Sequence, residues 1–143
     1  MSSLFKLYNY VENIYALFGL ILLNSCHRNL ECKPFHTGEF RYLKSELSDV
    51  VQRNDSIQIE FSPKQESAIF TNIIWVNDCS YELVYTDVMN MKNVDLDEVL
   101  GKSIQAEIVQ IDGKTFKVEV KGVYKQECIW FEKTSNNTDL LSK

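Results

Sequence analysis

Two alternating segments face each other across Asp112-Gly113-Lys114, and they constrain the fold more than anything else in the chain. Ser103-Ile-Gln-Ala-Glu-Ile-Val-Gln-Ile111 and Thr115-Phe-Lys-Val-Glu-Val120 both alternate apolar with polar residues. Side chains of a strand point to opposite faces in turn, so this period marks strands with one face on a core. An Asp-Gly step between two such runs is the strongest short-range signal for a hairpin. The segment is therefore expected to be antiparallel.

The same rhythm runs from Thr37 onward. Gly38–Leu43, Asp49–Arg53 and Ser56–Phe61 read as strands, the last two flanking a two-residue turn at Asn54-Asp55. Ile57, Ile59 and Phe61 alternate with polar residues, the signature of a half-buried strand. Ala68–Val76 and Tyr81–Val88 follow, joined by a turn at Asn77–Ser80, and Val123–Lys133 makes the last strand. Asp95–Gly101 breaks the pattern as a short helix, with an Asp cap, acids in its first turn and a terminal glycine. The fold class is therefore mainly β: about eight antiparallel strands in a meander, closing into a small barrel or half-barrel, with one helix near 95–100. A two-sheet sandwich is the alternative.

Ile14–Leu23 is ten uncharged residues, nine of them apolar or aromatic. A spanning helix needs about 20, whereas about ten is the length of the apolar region of a secretory signal peptide. The run ends in Leu23-Asn24-Ser25-Cys26, which is similar to a lipobox: aliphatic at −3, small at −1, then the thiol that is acylated. Asn24 at −2 and a weakly charged leader, with Lys6 offset by Glu12, depart from that pattern. The competing reading is a buried core helix. The expected organisation is a signal peptide over 1–25, a lipidated tether over 26–34, a β-domain over 35–133 and a frayed polar tail over 134–143. Several acyl chains on Cys26 would hold the protein stably at a membrane. No Asp follows Cys26, so the expected address is the outer membrane, facing the periplasm.

With Cys26 acylated, Cys32, Cys79 and Cys128 remain, and three single bridges are open to them. Cys32 just ahead of the first strand and Cys79 in an exposed turn are the favoured pair. Cys128, between Glu127 and Ile129-Trp130, reads as a small buried hydrophobe. No C-x-x-C occurs and neither His27 nor His36 has ligand spacing, so no metal or cofactor is expected. The net charge of −5, with Glu119 and Glu127 among the lysines of 114–125, argues against nucleic acid as a partner.

Three motifs, Cys32-Lys-Pro-Phe-His-Thr-Gly-Glu-Phe40, Arg53-Asn-Asp-Ser-Ile57 and Trp75-Val-Asn-Asp-Cys-Ser-Tyr81, come in this order. Together with the lipobox, over residues 20 to about 122, they resemble small Bacteroidetes-type lipoproteins of unknown function. The resemblance implies a lipocalin-like β-fold and a Cys32–Cys79 bridge, with Cys128 outside the pattern. Relatives of that kind often carry the label DNA topoisomerase IV. The chain has neither the cationic groove nor the Gly-rich ATPase loops such an enzyme requires.

Each motif also has a packing explanation. Gly38 permits close approach or a bulge, Arg53 braces a turn, and Trp75 and Tyr81 stack across strands or line a ligand site. Asp55-Ser56-Ile57 matches a short acceptor pattern for O-glycans, with Ser56 as the acceptor. No nucleophile–base pair is present, and Asp95, Asp97 and Glu98 suit a helix cap better than a calcium loop, so no enzyme is expected. Two functions fit: a non-catalytic structural or interaction module with an envelope partner, or a lipocalin-like carrier of a small apolar ligand.

Overall fold

The protein is described by a computed structural model over residues 29–43, 49–92, 94–122 and 126–136. The proposed signal peptide, Cys26 and the tail from 137 onward lie outside the described residues. Eight strands, β1 (Gly38–Tyr42), β2 (Val50–Arg53), β3 (Ile57–Ser62), β4 (Ser67–Trp75), β5 (Ser80–Met89), β6 (Ser103–Asp112), β7 (Thr115–Lys121) and β8 (Gln126–Ser135), pair in sequence order. β8 returns to β1, so the barrel closes and the sandwich is excluded. Every pairing is antiparallel. Closure gives each of the eight strands a paired neighbour on both sides over part of its length.

The turns have local causes. Asn54 Oδ1 accepts from the amides of Ser56 and Ile57 at 2.9 and 2.7 Å, and Asn77 Oδ1 accepts from Cys79 and Ser80, both at 2.8 Å. Such Asn side chains replace backbone acceptors and set a tight turn. Arg53 pairs with Gln58, and the Asn54 amide bonds the Ile57 carbonyl, so the first turn has Asp55-Ser56 at its tip. That is one residue later than the sequence suggests. Gly113 supplies the left-handed φ of +59° between Asp112 and Thr115. The helix, α1 (Leu96–Val99), begins at Asp95, whose carboxylate accepts from the Asp97 amide at 3.0 Å.

One face assignment is reversed. Buried Val51 pairs with Glu60 and buried Arg53 with Gln58, so Gln58 and Glu60 face the interior. Ile57, Ile59 and Phe61 lie on the outside, and Ile57 is 38% exposed. Cys128 is also exposed rather than buried, on the outer face of β8 beside inward Ile129. Thr134 and Ser135 are not frayed: they extend β8, and the Thr134 hydroxyl donates to a Glu39 carboxylate oxygen at 2.9 Å. Gly38 fulfils both of its expected roles. Its φ is +132°, a Cβ there would stand 2.6 Å from the Ser135 carbonyl oxygen, and the register shifts between Glu39 and Phe40.

The core occupies one end of the barrel, where the chain enters. Cys32 is buried, and Lys33–Phe35 forms a 3-10 turn that lays Phe35 against Phe116, ring centroids 4.6 Å apart. Cys32–Phe35, expected mostly as tether, thus plugs that end. A Cys32–Cys79 disulfide pins the plug to the β4–β5 turn, with 47 residues of sequence separation. By loop-closure entropy such a cross-link stabilises by about 4 kcal/mol. The double substitution Cys32→Ala, Cys79→Ala is expected to lower unfolding free energy by about that amount in urea titrations. A change below about 1 kcal/mol would mean the plug is held by packing alone.

Candidate functional site

The plug end and the opposite end of the barrel differ in filling. At the plug end Phe40 and Phe116 meet edge-on at 5.3 Å, and Arg53 is 1% exposed among them. Its Nε donates to Gln58 Oε1 at 2.9 Å, one terminal nitrogen to the Phe35 carbonyl at 3.3 Å, the other to the Tyr81 hydroxyl at 3.1 Å. The rings of Phe40 and Tyr81 flank the guanidinium at 5.2 and 4.7 Å. Arg53 therefore does more than brace its turn. It joins β2, β3, β5 and the plug.

Towards the other end a cavity of about 350 Å³ opens inside the barrel. Ile69, Leu83, Ile104, Val120 and Ile129 give it apolar walls, Tyr42, Glu60, Tyr85 and Glu127 add polar groups, and Arg53 and Gln58 reach it from the plug end. The volume falls at the lower end of the range for small-molecule pockets. The space exists because β3 turns polar residues inward, and inward Gln58 and Thr71 are smaller than the aromatic side chains that fill the plug end.

Within the cavity the Tyr42 hydroxyl donates to Glu60 Oε1 at 2.6 Å. Burial pushes the Glu60 carboxyl above its ordinary value; the Tyr42 bond opposes that shift and the Asp49 charge adds to it. Burial, then Glu60, pushes the Tyr42 phenol far above its usual range, so it remains a donor. Burial and Glu60 likewise raise Tyr85. Asp49 Oδ1 is buried with no hydrogen-bond partner among the described residues.

The expected aromatic pair is present but sits at the plug end. Trp75 and Tyr81 oppose each other on β4 and β5 with centroids 4.8 Å apart. Tyr81 is buried and touches the cavity floor, while Trp75 stacks on His36 at 3.5 Å. Ser56 is exposed at its turn tip. The residues that equip the cavity, Tyr42, Glu60 and Tyr85, were not singled out in the sequence. The one available signal was the polar half of the β3 alternation. Fold and cavity together define a class: a closed, eight-stranded antiparallel barrel, sealed at one end and hollow toward the other. No protein-family model matches the chain, and no curated protein does.

The raised Glu60 carboxyl makes stability depend on pH. Below its unfolded value near 4.5 both states hold the proton. Between that value and the raised folded one, the folded state binds more protons, so stability falls as pH rises and then levels off. Glu60→Gln removes this slope. Urea midpoints of the variant relative to the parent are expected to rise from pH 4 to pH 7.5. A constant difference would place the Glu60 carboxyl in water.

Proposed function

We propose that the chain is a lipid-anchored envelope protein, without catalytic activity, that carries a small and largely apolar molecule in its barrel. The observation that carries this reading is the cavity of about 350 Å³ with aliphatic walls and a sealed floor. A barrel filled throughout would favour a purely structural part, and here only the plug end is filled. The address rests on the apolar run Ile14–Leu23 ending at Cys26. The Cys32–Cys79 bridge supports folding outside a reducing compartment. Membrane through the acyl chains, and a small ligand, are the proposed partners; Ser56, exposed on its turn, remains a candidate glycan acceptor.

A second reading, an interaction module with an envelope partner, draws on Ile74 and Val76, which are 52% and 73% exposed. Ile74 shares the outer face of β4 with Asn72, the partner of exposed Ile57. The cavity is the larger and better-formed feature.

N-phenyl-1-naphthylamine, a neutral apolar fluorophore, is expected to bind saturably at one site per barrel. Ile104→Trp, which puts an indole into the cavity, is expected to weaken that binding at least about tenfold while the circular dichroism spectrum is retained. Unsaturable binding, or binding that ignores Ile104→Trp, would leave the interaction module as the better reading.

The anchoring has its own test. Mass spectrometry of protein extracted from membranes is expected to find an N-terminus at Cys26 carrying acyl chains. Native protein that is soluble, begins upstream and has a free Cys26 thiol would refute the address.

A further inference from the structure

Building on the carrier reading, we propose that the cavity prefers a ligand whose apolar body ends in a protonated amine, received by the carboxylate of Glu60. The barrel interior holds charges of both signs, and they differ in access. Arg53 belongs to the cavity lining but shows almost none of itself there: three of its five N–H groups donate to Gln58, Phe35 and Tyr81, the Phe40 and Tyr81 rings lie against the guanidinium, and 1% of the residue is exposed. An incoming anion finds almost no guanidinium surface to contact. Glu60 lines the same cavity but is partly exposed, with its carboxyl held in place by the Tyr42 hydroxyl at 2.6 Å.

The Glu60 carboxyl is therefore the more accessible of the two charged groups to a ligand head. An ammonium there gains charge-assisted hydrogen bonds, roughly twice as strong as neutral ones. The rings of Tyr42 and Tyr85, both on the wall, offer further attraction to a cation. A carboxylate head brings a second negative charge against Glu60, with Asp49 close enough to act on the same carboxyl. An alcohol takes a hydrogen bond without charge and ranks between. The cavity thus disfavours fatty acids, the ligand class its apolar walls would otherwise suggest.

Calorimetric titration of the purified full chain with octylamine, octanol and octanoate at pH 7 tests this with one apolar body and three heads. Octylamine is expected to bind at least about tenfold more tightly than octanoate, with octanol between. In Glu60→Gln the preference for the amine over octanol is expected to disappear while octanol binding is kept, which also certifies the variant's fold. If Glu60→Gln no longer binds octanol, the wild-type ranking of the three ligands decides alone. Octanoate binding as tightly as octylamine, or an amine preference that survives Glu60→Gln, overturns the proposal and leaves the carrier reading standing. If none of the three binds, both fall.

Discussion

A single buried guanidinium organises the sealed half of this barrel. Arg53 reaches from β2 to β3 through Gln58, to β5 through Tyr81, and to the plug through the Phe35 carbonyl. Removing a full charge from water costs several kcal/mol, and it is tolerated only where hydrogen bonds and favourable electrostatics replace hydration. Neutral acceptors and two ring faces supply that replacement here. A planar fork with five donors can satisfy this geometry, while a lysine, with one compact ammonium, cannot bridge three separated acceptors. The disulfide acts on the same end but differently, by limiting how far the plug can stray when Arg53 lets go.

Eight strands give an interior just wide enough for side chains to fill, so the identity of each inward residue decides between core and cavity. At the plug end the inward positions are Phe35, Phe40, Phe116 and Tyr81, large enough to meet across the axis. Further along β3 the inward positions are Gln58 and Glu60, and the opposing wall is aliphatic. The polar inward residues cost stability there, since Glu60 loses hydration that Tyr42 only partly replaces.

Much of this architecture was legible from short-range patterns. Asn54, Asn77 and Gly113 each fix a turn through their own chemistry, Asp95 caps α1, and the alternating runs between them become strands. Alternation, however, defines two faces without saying which is inside. For β3 the apolar face is outside, because the register with β2 is set by Val51 and Arg53 pointing inward. A charged residue inside overruled the hydrophobic vote, and no local pattern signals that. Cys128 was misplaced for a related reason. It belongs to the continuous apolar run Cys128-Ile129-Trp130-Phe131, where alternation is invisible and only pairing with β7 separates inward Ile129 and Phe131 from outward Cys128 and Trp130. The cavity residues Tyr42, Glu60 and Tyr85 come from three strands, and their meeting depends on barrel closure.

Closure also bears on how the two ends would sit relative to a membrane under the proposed anchoring. Cys32 is held at the plug end by its bridge to Cys79, and Tyr42, Glu60 and Glu127 lie toward the other end. Cys32 follows Cys26 by six positions, and a fully extended chain gains at most about 3.5 Å per residue. With the chain anchored through Cys26, as proposed, the plug stays within roughly 20 Å of the lipid surface. Under that anchoring the hollow end is the one farther from the point of attachment. A ligand would reach such a cavity from the aqueous space rather than by lateral diffusion out of the anchoring leaflet. An amine-bearing amphiphile, soluble as a monomer, suits this approach better than a long-chain lipid does.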